Sequence, residues 1–314
     1  MTVPMIDLAN ALKARAAVSA DDVLAIRRVV WPDGKLDASE ADAIFALNDA
    51  ITDPPVEWVD FFVEAMTAYV VRQQTPTGYV DDANAAWLMA RIDADGRVES
   101  RAELELLVKI LEVAVNVPDA LKAYALRQIE VAVTQGTGPT RRGALDPGSI
   151  NATEVALLRR MLFAAAGDGP ACISRAEAEL LFRLKAVTTD AANTPEWKTL
   201  FVQAVGNHLM AHSDYHPLSR ERATELNAFM SDNRVHIGGL LSRIAAKMVQ
   251  GGLAEGLRAR PATPDHDAAV AADRAITDDE AAWLKTQIDA DGTLDDLEKA
   301  LLNFIAEESG RPAF

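Results

Sequence analysis

The feature that most constrains this sequence is a stretch that occurs twice. Ala86-Trp87-Leu88 leads into Ile92-Asp93-Ala94-Asp95-Gly96, and near the C-terminus Ala282-Trp283-Leu284 leads into Ile288-Asp289-Ala290-Asp291-Gly292. In each copy an apolar helical segment closes on two aspartates and a glycine, the residue most typical of helix C-termini, and a second segment rich in Leu and Glu follows. The sequence therefore predicts units of helix, acidic turn and helix.

The predicted helix starts repeat one pattern of residues. An apolar residue precedes Ser, Thr, Asp or Asn, and an acidic residue follows three places later, which is typical of a capped helix N-terminus. The pattern is found at Ser19/Asp22, Asp37/Glu40, Ser100/Glu103, Asn151/Glu154, Ser174/Glu177, Thr277/Glu280 and Asp295/Glu298. Helices are predicted at 5–16, 20–30, 37–51, 56–74, 81–92, 100–115, 118–135, 151–165, 174–188, 195–213, 219–231, 238–249, 277–290 and 295–309. Because runs with strict two-residue alternation are missing, we expect an all-α fold.

The chain is long enough to bury two cores, and its two parts resemble each other. The residues around Trp58 match those around Trp197, and the residues around Phe45 match those around Phe182. We interpret this match as a tandem duplication of helix–turn–helix halves. The predicted divisions are a first half at 1–138, a linker at 139–149, a diverged second half at 150–257, a flexible tether at 258–275 and a C-terminal helical pair at 276–314. We expect this pair to dock on the second half, which has lost one acidic turn at 231–234.

The charge balance limits the possible partners. With 31 basic and 47 acidic residues, the formal net charge is −16, which disfavours binding to nucleic acid or to anionic membranes. The N-terminus lacks the features of a signal peptide, and no apolar run reaches the roughly 18 residues that a membrane span needs. We therefore expect a cytoplasmic protein with a possible protein partner and a structural role for Cys172. The sequence leaves the oligomeric state open.

The terminal acidic turn is the best candidate for a metal site. A calcium loop of the EF-hand type needs oxygen ligands at positions 1, 3, 5, 9 and 12 and a glycine at position 6. With Gly292 at position 6, Asp289, Asp291, Asp295 and Glu298 fall on ligand positions, and only position 1 departs from the pattern. We predict that these four acids bind Ca²⁺ or another divalent cation, with Ca²⁺ favoured because all are hard oxygen ligands.

The other acidic turns supply weaker candidate ligands. They are Asp93, Asp95, Glu99 and Glu103 in the first copy, then Asp33 with Glu40 and Asp168 with Glu177. The first copy fits the loop less well, since Glu103 lies one place late. Aspartates at helix C-termini are unfavourable by ~0.3–1 kcal/mol each, and a bound cation would offset that cost. The alternative is that the glycines and acids only cap helices.

Two histidines form a separate candidate site. His208 and His212 are four residues apart and would share one helical face, which suits Zn²⁺ or Ni²⁺. The alternative is a partly solvated helix end that runs into Pro217. Leu209 follows His208 where a zinc protease motif has glutamate, and no phosphate loop, nucleophile elbow or dinucleotide motif is found. We therefore expect no enzymatic activity.

The helix and acidic-turn pattern resembles a known family. The residues that carry the resemblance are Ala164-Ala165-Ala166-Gly167-Asp168-Gly169 with Ile173-Ser174-Arg175-Ala176-Glu177, and Ile92-Asp93-Ala94-Asp95-Gly96 with Val98 and Glu103. They are similar to TerB-like helical domains of tellurite-resistance and related bacterial proteins, with turns like degenerate EF-hands. The resemblance covers most of 15–135 and, less cleanly, 150–250. It implies a cytoplasmic, non-catalytic, acidic domain that binds divalent metal and acts in stress-response assemblies.

Two functional hypotheses follow from the sequence. The first is a non-enzymatic divalent-cation-binding protein of a bacterial stress-response or tellurite-resistance type. The second is a metal-free helical scaffold for protein–protein interaction, with an acidic surface that recruits a basic partner and a terminal pair that occupies a groove until it is displaced. The same acidic helix ends serve both hypotheses, so the sequence leaves both open.

Overall fold

The computed structural model describes most of the chain between residues 5 and 309. The described residues are 5–30, 35–92, 98, 100–141, 147–166, 172–210, 224, 276–290 and 292–309. The chain divides into two units, one formed by Met1–Pro217 with Ile276–Phe314 and the other by Leu218–Ala275. Only Thr224 of the second unit is among the described residues. The helices predicted at 219–231 and 238–249 therefore lie outside them.

Every regular element of the described residues is a helix. The elements are α1 (Met5–Arg15), α2 (Ala20–Val30), α3 (Ala38–Ala50), α4 (Val56–Thr67) with a following π-helical turn (Ala68–Arg72), α5 (Asp82–Ile92), α6 (Arg101–Val113), α7 (Asp119–Gln135), α8 (Ala152–Leu162), α9 (Arg175–Thr188), α10 (Pro195–Met210), α11 (Asp278–Ile288) and α12 (Asp296–Ser309). Apart from one isolated bridge between Tyr79 and Asn116, these residues form no β pairing. The predicted all-α fold is confirmed. None of the described helices combines the length and apolar character needed to cross a membrane.

The helices begin where the capping pattern predicts. At α3, α6, α8, α9 and α11 the cap side chain accepts from the third helical N–H, and the acid at that third position accepts from the cap N–H. Asp295 and Glu298 make the same pair of hydrogen bonds at α12, at 2.9 and 3.0 Å. A cap of this kind stabilises a helix by about 0.5–2 kcal/mol. The predicted helix starts agree with the observed starts to within one residue.

The first part of the chain is built around the aromatic helix α4. Trp58, Phe61 and Phe62 are buried on it, and the helix packs against α2, α3 and α6. Phe45 of α3 meets Phe62 edge-on, with 5.1 Å between the ring centroids. Burial of each large apolar side chain contributes about 1.5–3 kcal/mol, so α4 makes a large contribution to the stability of this part.

The second part has a similar centre in α10. Trp197 and Phe201 are buried there, and α10 packs against α8, α9 and α12. Leu301 and Ile305 of α12 are fully buried. The prediction that the terminal pair docks on the second half is confirmed, although the position of the lost turn, 231–234, lies outside the described residues.

Ion pairs connect the first part to the second. Arg160 of α8 donates to Glu105 and Glu112 of α6, at 2.8 and 2.7 Å. Arg183 of α9 donates to Glu130 of α7 at 2.7 Å. The hydrogen bond from Arg160 is the main reason why the pKa of Glu112 is lowered. Helices of both parts thus belong to one compact unit.

Candidate functional site

Four capping glutamates among the described residues are buried, although a carboxylate is costly to bury without partners. Glu103, Glu154, Glu177 and Glu298 are each at most 4% exposed. One oxygen of each carboxylate accepts from the backbone N–H of the N-cap residue. The other oxygen contacts a side chain from a different part of the chain. These carboxylates therefore tie distant segments together.

One of these ties joins α9 to the terminal helix pair. Lys185 Nζ lies 2.5 Å from Glu298 Oε1 and 2.9 Å from Asp295 Oδ2, and the Lys185 side chain is only 4% exposed. Burial acts to lower the pKa of Lys185, but the hydrogen bonds and charges of Glu298 and Asp295 outweigh burial and raise it. An ammonium group of the protein therefore neutralises the carboxylates of the terminal turn.

Two further ties have a cation at their centre. Lys122 Nζ of α7 lies 3.0 Å from Glu177 Oε1 of α9. Arg141 Nε and Nη2 donate to the two oxygens of Glu154, at 2.8 and 3.0 Å. Removing one member of a buried ion pair costs about 3–5 kcal/mol, because the other charge is left uncompensated. Arg141, which falls in the segment predicted as a linker, is thus packed against α8.

The fourth tie has an amide at its centre. Asn48 Nδ2 of α3 donates to Glu103 Oε1 at 3.3 Å, and Trp58 Nε1 donates to Asn48 Oδ1 at 3.1 Å. The internal sequence match places Lys185 at the position of Asn48. An ammonium group has no acceptor atom. In agreement with this difference, the buried Nε1 of Trp197 has no hydrogen-bond partner within the described residues.

The two copies of the repeated tryptophan lie in similar surroundings. Each packs edge-on against two rings, with centroid distances between 5.0 and 5.8 Å. The contacts are Trp87 with Phe45 and Tyr69, and Trp283 with Phe182 and His208. Helix α11 therefore contacts α9 and α10 through a tryptophan much as α5 contacts α3 and the end of α4.

The predicted ligands of the terminal turn are not all together. Asp289 is the exposed C-cap residue of α11, whereas Asp295 and Glu298 both contact Lys185. Asp291 lies outside the described residues. A divalent cation and the Lys185 ammonium would compete for the same two carboxylates. Binding of Ca²⁺ at this turn stays a prediction.

The remaining predicted ligands are spread over several helices. Glu103 and Glu177 take part in the ties described above, and Glu40 caps α3. The candidates that lie outside the described residues are Asp33, Asp93, Asp95, Glu99, Asp168 and His212. In the described part of the chain, no three or more His, Cys, Asp or Glu side chains form a group that could hold a metal ion.

His208 makes two contacts that link helices. Its Nδ1 lies 2.9 Å from the carbonyl oxygen of Ile173, in the segment that precedes α9. Its ring packs against Trp283 of α11. This side chain therefore connects α10 both to α9 and to the terminal pair.

The sequence does not reveal which side chains meet the buried carboxylates. Lys122, Arg141 and Asn48 lie far from them in sequence, and no spacing rule marks them. Lys185 is the exception, because the sequence contains one indication of its role. The internal match aligns this charged residue with a neutral residue of the first half, Asn48. A charge at a core position requires a counter-charge, which here comes from α12.

Comparison with protein-family models, with curated proteins and with solved structures found no match. The resemblance to TerB-like domains stays a prediction.

Proposed function

We propose that this chain is a non-enzymatic helical interaction protein with two duplicated halves, in which α11 and α12 form a docking element for the second half. We name α11–α12 the terminal hairpin. The receptor face is the surface of α9 and α10 that it covers, represented by Phe182, Lys185, Gly206 and His208. The second half thus has a binding surface for a helical hairpin, and its occupant in this chain is the terminal hairpin.

Lys185 is the observation that carries the proposal. Its ammonium group is buried, and the carboxylates of Asp295 and Glu298 beside it both belong to the terminal hairpin. Next to this charge cluster, Trp283 fills an aromatic site against Phe182. A buried aromatic anchor beside a desolvated charge pair is typical of the centre of a protein–protein interface.

The duplication is supported by the corresponding contacts of the two halves. Trp87 and Trp283 pack in the same way, and Glu103 meets Asn48 as Glu298 meets Lys185. The halves differ in connectivity, since α5 follows the α4 region closely, whereas residues 211–275 separate α10 from the terminal hairpin. An element on a long connection docks at a moderate effective concentration, so an equivalent hairpin from a partner can replace it.

Divalent-cation binding, with Ca²⁺ favoured, is the second candidate function. The observation that favours it is the convergence of Asp295 and Glu298 on one positive charge. A metal ion bound there would displace Lys185 and loosen the terminal hairpin, so metal binding and docking would oppose each other. Calorimetry of the intact chain with Ca²⁺, Mg²⁺ and Mn²⁺, up to roughly millimolar concentrations, tests this candidate. If none of the three metals gives a heat of binding, the acidic turns act only as helix caps.

Separation of the terminal hairpin from its receptor face tests the scaffold proposal. We expect a chain ending at residue 275 to bind a peptide of residues 276–314, or to self-associate through the uncovered face. The same truncated chain with Lys185→Met is the matched control, and it should bind the peptide at least about tenfold more weakly. A truncated chain that stays monomeric and binds no peptide would contradict the proposal.

A further inference from the structure

The first half carries an open cavity of about 1130 Å³ beside α4 and α6. We name it the first-half groove. Its lining includes Val56, Val59, Val63, Thr67, Arg72 and Arg101. The three valines lie on one side of α4 at helical spacing, and Val56 is 66% exposed. The groove therefore has an apolar wall that is accessible to a ligand.

The corresponding place in the second half is filled by the chain itself. A Cβ atom at Gly206 would lie 2.5 Å from Cε1 of Phe304, so this ring packs directly on the helix backbone. In the correspondence of halves proposed above, Thr67 and Lys109 of the first half match Gly206 and Phe304. Lys109 lines the groove and pairs with Glu112, at 3.7 Å. Neither residue fills the space as the phenyl ring does.

Thr67 provides an independent indication of a ligand. The residue is 2% exposed, and its buried Oγ1 has no hydrogen-bond partner among the described residues. An unpaired buried hydroxyl costs about 1–3 kcal/mol. Thr67 directly precedes the π-helical turn, which Gln73 N closes on Ala68 O at 2.9 Å. Single π-helical turns next to α-helices are frequent at functional sites, so both features point to the same position.

The charges around the groove define the chemistry of its ligand. Several are already paired within the protein: Glu64 with Arg27, Glu105 with Arg160, and Arg91 with Asp42. Asp53, Asp60, Arg72 and Arg101 form no ion pair among the described residues. Two acids and two bases are therefore available, and a complementary ligand carries charges of both signs.

We propose that the first-half groove binds a short peptide segment of another protein. An apolar side chain of the peptide lies on Val56, Val59 and Val63, a polar group pairs with Thr67 Oγ1, and flanking charges of both signs meet the unpaired acids and bases. The open shape of the groove and its charges of both signs suit an extended peptide segment. This site lies outside the receptor face of the terminal hairpin, so it adds a second binding surface to the proposed scaffold.

Selection from a displayed library of random short peptides on the intact chain tests this proposal. Affinities of the enriched peptides would be measured by fluorescence anisotropy. Val56→Glu and Arg72→Glu should each weaken binding by about tenfold or more, since they place a charge on the apolar wall and reverse a charge on the rim. The matched controls are Val187→Glu, at a valine 45% exposed that does not line the groove, and Arg28→Glu, also outside the lining, which changes the net charge as much as Arg72→Glu does. Both controls should retain binding.

Thr67→Val separates ligand binding from folding. The substitution removes an unpaired hydroxyl at nearly constant volume, so the thermal midpoint should stay equal or rise while peptide affinity falls. The proposal is overturned if no peptide is enriched above an empty surface, or if the enriched peptides bind Val56→Glu and Arg72→Glu as well as the wild type. The scaffold proposal would survive either result, because the receptor face contains none of these residues.

Discussion

At the scale of residues, the acidic residues at the helix starts connect their own helix to other parts of the fold. A capping glutamate satisfies the backbone of its own helix with one oxygen and contacts a distant side chain with the other. Asn48 and Lys185 are two different donors to the second oxygen of a buried capping glutamate. The Asn48 amide donates a hydrogen bond to Glu103 and accepts one from Trp58. The Lys185 ammonium can only donate, and it also pairs with a second carboxylate, that of Asp295.

Substitution of Lys185 tests this interpretation. Lys185→Met should lower the free energy of unfolding of the terminal hairpin region by about 3–5 kcal/mol, because it removes the ammonium group beside the buried carboxylate of Glu298. Lys185→Asn should cost less, since an amide can donate to Glu298 and accept from Trp197 as Asn48 does in the first half. Urea unfolding measures both variants. Lys299→Met, at an exposed lysine paired with Asp296, is the control and should have little effect. Equal losses for Met and Asn would contradict the comparison with Asn48.

At the scale of elements, the terminal hairpin fits the second half through a glycine. Gly206 allows the ring of Phe304, which belongs to α12, to approach the backbone of α10. Leu301 and Ile305 of α12 are fully buried. In the first half α6 packs on α4 without such a ring, and the groove remains open. We propose that the residues at these two positions determine whether a helix pair closes its half or leaves a groove open.

Gly206→Ala tests the fit between α10 and α12. In an isolated helix this change is favourable by about 1 kcal/mol. Here the new methyl group would meet the ring of Phe304 at 2.5 Å, so we expect a net loss of stability of about 1–3 kcal/mol. Thermal unfolding measures the effect. The double variant Gly206→Ala with Phe304→Leu should recover part of the lost stability. If it recovers none, the Phe304 ring does not determine how closely α12 packs on α10.

At the scale of the whole molecule, the local patterns of the sequence predict far more than its long-range contacts. The capping pairs, Asn151 with Glu154 for example, give the helix starts because a cap depends on neighbouring residues only. The repeat around Trp87 and Trp283 indicates which helices are equivalent. The partner of a buried carboxylate depends on tertiary packing, and Lys185 was therefore not predictable as the group beside Glu298.

The pH dependence of stability has two limbs. The pKa of Glu112 is below its ordinary value of 4.5, chiefly through Arg160, so its contribution is present above pH 4.5 and is lost as the pH falls through the folded-state value. The pKa of Lys185 is above its ordinary value of 10.5, so its contribution is present below pH 10.5 and is lost as the pH rises through the folded-state value. The urea midpoint should fall at both extremes. Arg160→Gln should weaken the acid limb only, and an unchanged acid limb would contradict this assignment.

Hydrogen exchange on the full chain tests most directly whether Lys185 holds the terminal hairpin on the second half. Protection of the amides in α11 and α12 would be compared between the wild type and Lys185→Met. We predict that the variant loses protection throughout α11 and α12, while α4 and α6, which pack against each other in the first part of the chain, keep theirs. Unchanged protection of α11 and α12 in the variant would contradict the account.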